Sequence, residues 1–396
     1  MTRKRRNTLA GLLLGIARSE SRETIDAVAH HLLRDDGWSE RYSHEYLTRE
    51  LLPELIERLR HRPEIEYARE LVDALIAGYD SYATIQVVRR PVMNLTVAAD
   101  GLEVGDHMLR MIDEAAILDA EAQLRQIVTS PPNEPGAADH LCETLREQLG
   151  KQMGRAVAEI RVRSRKEIAL ERVQQRYDEL IDFLNGAATI LYPLNDRIRV
   201  APAGELISEI ETVLIISDPV ERFSMPTKWV GPRYPLDLSG LAVSKLRDSG
   251  FWGFADVLAT EPNQRTEFET AMLLALHWYA NHPMHATPAN QLLSLTIAAE
   301  TIFPRRRGGI GVGCAEGIAF VLADDPEDRY KIRETFRNLY SKRGDIAQQG
   351  QARVSERDIA VLANLVMGLL LKAVAARSEF ATRDDFERWI DSRRLA

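Results

Sequence analysis

Cysteine is nearly missing from this chain of 396 residues, which contains only Cys142 and Cys314. Two cysteines that far apart exclude a disulfide framework and a Cys-rich zinc site. An excess of basic residues is missing as well, because the net charge is -8. A protein that coats nucleic acid with its whole surface needs clustered Lys and Arg, so that class is excluded while a local basic patch is not. We expect a protein of the reducing cytoplasm.

Long uninterrupted apolar runs are missing too. The run at 9–17 is short and contains Gly11 and Gly15, and the run at 359–376 contains Lys372. A secretory signal has a cleaner apolar stretch, and a membrane-spanning helix needs about 20 predominantly apolar residues. We therefore expect no secretory signal and no membrane partner, and we interpret 359–376 as a buried helix.

Several motifs that bind cofactors or perform catalysis do not occur in the sequence. No Gly-Lys-Ser/Thr follows the glycine-rich segment "RRRGGIGVG", no serine lies in a Gly-x-Ser-x-Gly context, and no His-Glu-x-x-His motif is present. We expect neither a cofactor nor a metal ion.

Three arginines open the glycine-rich segment, and they allow two interpretations. Arg305, Arg306 and Arg307 precede Gly308 and Gly309. The first interpretation is a flexible loop between helices. The second is a local anion-binding patch where RNA or a nucleotide docks, because backbone and guanidinium N–H groups beside mobile glycines bind phosphate.

Apolar residues recur at helical spacing over most of the chain, which predicts a mainly α protein. At 84–98, β-branched residues partly alternate, which predicts a short strand pair within the helical N-terminal region 1–135. Region 136–262 is predicted to contain long helices, with 137–191 as one or two of them, and a mixed α/β connector. Region 263–396 is predicted to be a helical bundle.

Three segments of the last third follow one another in a specific order. "FETAMLLALHWYANHP" is an apolar helix, "NQLLSLTIAAETIF" is a second with Glu300, and "DRYKIRETFRNLYSKRGDIAQQG" is a third with Arg343. An apolar C-terminal helix follows. Together these segments resemble the Apea-like branch of the HEPN superfamily, which comprises all-helical domains found in many prokaryotic RNA-targeting toxins and defence proteins. The resemblance covers 265–374.

The resemblance can be stated residue by residue. "AAE" at 298–300 is similar to the "ALE" signature of the family. "LYSKRGDIAQQG" follows the family pattern "LY..RS.IVHG" at Leu339, Tyr340, Arg343 and Ile346. It departs from that pattern at Gly344, where serine is usual, and at Gln348, where histidine is expected.

The resemblance implies metal-independent RNA cleavage in active members of the superfamily, with the arginine and the histidine often contributed by two subunits of a dimer. Histidine transfers protons near neutral pH, and arginine holds phosphate oxygens. Glutamine only hydrogen-bonds, and loss of a general base typically lowers the rate by about 10²–10⁴-fold. With Arg343 and Gln348 as a degenerate catalytic pair, we expect cleavage to be impaired.

Three hypotheses about function follow. The first is an RNA- or nucleotide-binding, regulatory HEPN homodimer in a defence or toxin-antitoxin-like setting, with Arg343, Glu300 and Tyr340 at the site. The second is an active endoribonuclease in which Arg343 works with a histidine from elsewhere, such as His277, His282 or His285. The third is a non-catalytic interaction module, in which Arg343 only pairs locally with Glu300 or Asp345.

Overall fold

Hydroxyl side chains fix where three C-terminal helices begin. Thr266 accepts a hydrogen bond from the backbone N–H of Glu269, and the Glu269 carboxylate accepts one from the backbone N–H of Thr266. Ser355 and Asp358 form the same reciprocal capping box. Thr287 accepts from the backbone N–H of Asn290. Each cap satisfies N–H groups that have no partner within the helix, so the local sequence determines where these helices start.

The structure is a computed structural model. It describes residues 3–19, 22–33, 44–81, 84–127, 136–164, 169–193, 198–203, 205, 209–212, 215–216, 223–224, 227–230, 234–304, 310–349 and 353–395. Over these residues the protein is mainly helical.

Contacts divide the chain into two compact units. The first consists of Met1–Arg89 with Glu159–Tyr177, and the second consists of Arg90–Ala158 with Asp178–Ala396. The predicted boundaries near 135 and 262 stay predictions.

The N-terminal helices form the core of the first unit. They are α1 (Arg3–Ser19), α2 (Arg22–Leu33), α3 (His44–Tyr46), a π-helical turn (Leu47–Leu51), α4 (Leu52–His61) and α5 (Ile65–Ser81). Helix α1 contacts α4 and α5. The core includes Leu9, Leu13 and Leu59, all fully buried. Burial of a leucine side chain stabilises a fold by about 1.5–3 kcal/mol, so this apolar seam holds the helices together.

Strands and further helices occupy the middle of the chain. The strands are β1 (Thr84–Met93), β2 (Leu95–Thr96), β3 (Leu102–Val104), β4 (His107–Met111), β5 (Ala156–Ser164), β6 (Ala201–Pro202), β7 (Glu209–Thr212), β8 (Ile215–Ile216), β9 (Phe223–Ser224), β10 (Thr227–Val230) and β11 (Leu236–Asp237). The helices between them are α6 (Glu114–Ile127), α7 (Ala137–Gly150) and α8 (Ala169–Leu191). A five-stranded sheet has the order β3-β4-β5-β1-β6.

The strand predicted near 84–98 exists, but β1 and β2 do not pair with each other. Strand β1 neighbours β5 and β6, whereas β2 pairs in parallel with β11. Asn94 separates them with a φ of 63°. Its side-chain amide donates hydrogen bonds of 2.7 Å to the backbone oxygens of Arg199 and Tyr234. Asparagine tolerates this left-handed backbone, so the chain turns out of one sheet and into another.

Helices were predicted across 137–191, but the structure has strand β5 between α7 and α8. The helix prediction was wrong at 156–164. Charged residues suggested an exposed helix there, whereas "EIRVRS" alternates apolar and polar residues with a period of two, as a strand does. Gly154, with a φ of 78°, turns the chain just before the strand.

The C-terminal helices follow with short connections. They are α9 (Leu241–Asp248), α10 (Gly253–Ala259), α11 (Glu267–Asn281), α12 (Pro288–Ile302), α13 (Ile310–Leu322), α14 (Pro326–Gln349), α15 (Glu356–Ala375) and α16 (Arg383–Leu395). Helix α12 contacts α11, α14 and α15, and α13 contacts α14. A cluster of aromatic rings that includes Phe268, Phe380 and Phe386 joins α11 to α16.

Helix α15 is, among the described residues, the helix long and apolar enough to cross a membrane by length and composition. Core helices pass the same test. Leu362, Val366, Leu369 and Leu370 of α15 are buried within the fold, and α15 contacts α11, α12 and α13.

Gly105 lies in the turn between β3 and β4, with a φ of +63°. A Cβ atom there would lie 2.7 Å from the backbone oxygen of Ala255 in α10. We predict that Gly105→Ala lowers the free energy of unfolding, because positive φ costs about 1–3 kcal/mol and overpacking against backbone costs a further 1–3 kcal/mol or so. Gly136 is the matched control, since its φ is +103° but its Cβ would meet nothing within 4 Å. Urea unfolding that gives equal losses for both variants would contradict the steric part of this account.

Candidate functional site

Glu300 lies in the last turn of α12 and contacts two side chains of α14. The Tyr340 hydroxyl donates a hydrogen bond to Oε1 of Glu300. Nη2 of Arg343 lies 3.5 Å from Oε2. The Glu300 side chain is 15% exposed, so its negative charge is largely desolvated and is compensated by these two partners. One carboxylate therefore joins α12 to α14.

Residues at helical spacing place Arg343 on the surface of α14. The rings of Phe336 and Tyr340 stack with centroids 5.9 Å apart, and the Arg343 guanidinium lies 5.4 Å from the centre of the Tyr340 ring. Side chains three and four positions apart meet on one helix face. Phe336 is fully buried, whereas the Arg343 side chain is 34% exposed. Phe336, Tyr340 and Arg343 thus form a row along α14 that runs from the core to solvent.

The guanidinium of Arg343 is incompletely paired. Its Nε is buried and has no hydrogen-bond partner among the described residues. The 3.5 Å contact with Glu300 is longer than a typical N–H···O hydrogen bond of 2.7–3.2 Å or so. Arg343 is therefore held by one long contact with Glu300, while a third of its side chain is open to solvent.

Helix α13 approaches Tyr340 through a glycine. A Cβ atom at Gly311 would lie 2.3 Å from the Tyr340 ring, so any larger residue there would displace the ring. Burial and the hydrogen bond to Glu300 raise the pKa of the Tyr340 hydroxyl above its ordinary value, so it stays protonated and donates to Glu300. Burial, with a smaller effect of Glu300, also raises the pKa of the Cys314 thiol. Such a thiol is a packing group and not a nucleophile.

The structure brings together Glu300, Tyr340 and Arg343, three of the residues predicted from sequence. Gln348 lies near the C-terminal end of α14. Arg305, Arg306 and Arg307 lie outside the described residues.

Histidines that we considered as replacement bases have their contacts elsewhere. Nδ1 of His277 lies 2.8 Å from Oδ2 of Asp182, and Nδ1 of His282 donates to the backbone oxygen of Tyr279 at 2.5 Å. Within the described ranges, neither histidine has a hydrogen bond or ion pair with Arg343. No observation here favours a histidine-assisted ribonuclease site.

Sequence reasoning missed a second polar cluster, formed by α8, α11 and the segment before β6. Asp182 accepts a hydrogen bond of 2.8 Å from the Asn281 amide, and the Asn281 side-chain oxygen accepts one of 2.7 Å from Arg199. Asp182 and Arg199 are both buried. His277 also pairs with Asp182, which gives a chain of four polar side chains. Nothing in the local sequence marks these contacts, since Asp182 and Asn281 are 99 positions apart.

A metal site is not apparent in the described part of the chain, where no three His, Cys, Asp or Glu side chains are grouped in a way that could hold an ion.

The chain matches no protein-family model, and comparison with curated proteins and with solved structures gives no match either.

We predict that His277 and His282 titrate on opposite sides of the ordinary histidine pKa of 6.5. The hydrogen bond to Asp182 raises the pKa of His277, whereas burial lowers the pKa of His282 to about 4. The favourable effect of the His277 pair on stability is therefore full below pH 6.5 and is lost as the pH rises through the raised pKa. His282 has the reverse effect, since stability falls as the pH drops from 6.5 towards 4.

NMR titration of the two imidazole rings measures both values. Asp182→Asn is the control, because it removes the carboxylate from His277 and should return the His277 pKa towards 6.5 while His282 stays low. If both histidines titrate at the same pH in the wild-type protein, the contacts described for His277 and His282 are wrong.

Proposed function

We propose that 263–396 is an Apea-like HEPN domain that binds RNA or a nucleotide through Arg343 and is impaired in RNA cleavage. The helical state of the four segments that carry the resemblance supports the proposal, because they form α11, α12, α14 and α15 and the family is all-helical. A cytoplasmic, defence or toxin-antitoxin-like setting is part of the proposal through the resemblance alone.

The geometry of Arg343 is the observation that carries the proposal. The side chain is anchored by Glu300 and by the Tyr340 ring, yet it is one-third exposed. Arginine presents five N–H donors in a fixed planar arrangement, which suits two oxygens of one phosphate. Glu300 contacts only Nη2, and at 3.5 Å, so a phosphate would bind the part of the side chain that is exposed to solvent. Glu300 also offsets part of the positive charge, which makes the expected affinity modest and sensitive to salt.

The resemblance implies a homodimer as the form in which a complete HEPN site would be assembled, since the two catalytic residues often come from two subunits. Arg343 and Gln348 both lie in α14. Two copies of α14 across a two-fold axis would bring the Arg343 of one copy towards the Gln348 of the other.

An interaction module without a ligand is the second candidate function. The mutual contacts of Glu300, Tyr340 and Arg343 favour it, because an arginine that only ties α14 to α12 would make the same contacts. The two candidates differ in whether the exposed part of the Arg343 side chain binds a ligand.

We predict that Arg343→Gln weakens binding of a short fluorescein-labelled single-stranded RNA by about tenfold or more, because a charge-assisted hydrogen bond contributes about 1.5–3 kcal/mol. The slope of log affinity against log salt should fall by about one, as expected when one phosphate contact is lost. Fluorescence anisotropy at several salt concentrations measures both. Arg337→Gln is the matched control, since Arg337 is an exposed arginine of α14 that pairs with Glu334 at 3.3 Å.

Glu300→Gln separates the two candidate functions in the same assay. Glutamine still accepts the hydrogen bond from Tyr340 but no longer offsets the Arg343 charge, so RNA binding should tighten. Equal RNA affinities for wild type, Arg343→Gln and Glu300→Gln would contradict the binding function and leave the interaction module.

A further inference from the structure

A cavity of about 490 Å³ lies in the second unit, away from the Glu300 site. Helix α8 and the segment that follows it form one side, and the end of α11 and the first half of α15 form the other. Its apolar wall includes Ile198, Ile359 and Ala363, and its polar wall includes Arg199 and His282. A concave apolar site with a few converging polar groups is the usual form of a small-molecule site.

Arg199 is the main charged group of the cavity wall. Its residue is 7% exposed, and its guanidinium donates a hydrogen bond of 2.7 Å to the Asn281 side-chain oxygen. Among the described residues it has no ion pair within 4.0 Å, because the Asn281 amide stands between it and Asp182. Burial lowers the Arg199 pKa to about 10, which still leaves the guanidinium charged at neutral pH. A buried cation without a direct counter-ion is costly, and an anion in the cavity would offset that cost.

The backbone of Arg199 is fixed at its own carbonyl and at the residue that follows. The Asn94 amide donates to the Arg199 carbonyl at 2.7 Å. The next residue, Val200, exchanges two hydrogen bonds with the Asn185 side chain at 3.0 and 3.2 Å. The guanidinium is therefore presented by a preorganised segment, which reduces the entropy lost when a ligand binds.

His282 adds an acceptor to the cavity rather than a second positive charge. Its Nδ1 donates to the Tyr279 carbonyl, so Nε2 carries the lone pair. Burial holds the pKa of this ring at about 4, and the imidazole is neutral at physiological pH. The structure shows no protein donor to Nε2 within the described residues, which leaves it for a hydroxyl or amide N–H of a ligand.

The charges of the wall select one class of anion. Arg199 supplies one positive charge, and Glu356 brings a negative charge to the same cavity. Because these two charges already balance over the whole wall, a phosphate dianion would add two negative charges, whereas a monocarboxylate adds only one and matches the Arg199 guanidinium in planar two-oxygen geometry. The apolar wall suits an organic body attached to that carboxylate.

We propose that this cavity binds a small organic monocarboxylate, with the carboxylate on Arg199 and the organic body against Ile198, Ile359 and Ala363. The site is independent of the RNA-binding function proposed above, since it shares no residue with the Glu300 site.

Fluorine NMR of the full-length chain with para-fluorobenzoate as the probe tests the proposal. We expect the fluorine signal of para-fluorobenzoate to broaden and shift when wild-type protein is added. Para-fluorobenzamide has the same shape without the charge, and it should bind at least about tenfold more weakly because it forfeits a charge-assisted hydrogen bond. Arg199→Gln should abolish the preference for benzoate over benzamide. Arg337→Gln, which changes an exposed arginine outside the cavity, should bind benzoate as wild type does.

Ala363→Phe provides a test that does not alter Arg199 or its hydrogen bonds. The added ring fills the cavity, so benzoate binding should disappear while the far-ultraviolet circular dichroism and the melting temperature show a folded protein. Wild-type binding in a folded Ala363→Phe variant would overturn the proposal. Equal affinity for benzoate and benzamide, or displacement of benzoate by inorganic phosphate at a lower concentration than by unlabelled benzoate, would also overturn it.

Discussion

The Glu300 carboxylate is the constraint on which the candidate site depends. It is largely buried at the end of α12, and its two oxygens are taken by Tyr340 and Arg343 of α14. A buried carboxylate is tolerated only when such partners compensate for the lost water. The buried Glu300 carboxylate therefore requires a partner at this place, and Arg343 is positioned by that contact. Gly311 completes the arrangement, because only a residue without a side chain lets α13 pass the Tyr340 ring.

The two arginines of interest show opposite solutions to the same electrostatic problem. Arg343 has a carboxylate directly beside it and remains partly exposed, so solvent and Glu300 share its charge. Arg199 is buried and reaches its nearest carboxylate only through the Asn281 amide. The RNA ligand that we propose suits the first arrangement, since the exposed part of the Arg343 side chain can be reached from solvent. A small organic anion fits the second, since the Arg199 guanidinium has no direct ion pair among the described residues.

Local sequence rules predicted those parts of the fold that local interactions determine. The mainly helical character was predicted from apolar spacing. The caps at Thr266, Thr287 and Ser355 also act within four residues, although we did not predict them. Strand β5 was missed because its charged residues resemble an exposed helix until the period of two is counted. The pairing of Arg343 with Glu300 was one of the alternatives, but the Asp182 cluster was not foreseen. Its members come from α8, α11 and the segment before β6, and only tertiary packing brings them together.

The integrity of a labelled RNA, measured with EDTA present to remove metal ions, tests most directly whether this site is impaired in RNA cleavage. The account predicts that wild-type protein leaves a labelled RNA intact, since Gln348 transfers no proton, and that Gln348→His produces cleavage which an added Arg343→Gln change removes. Cleavage by the wild-type protein that disappears in Arg343→Gln alone would contradict the account, because the site would then be an active ribonuclease with a base other than residue 348.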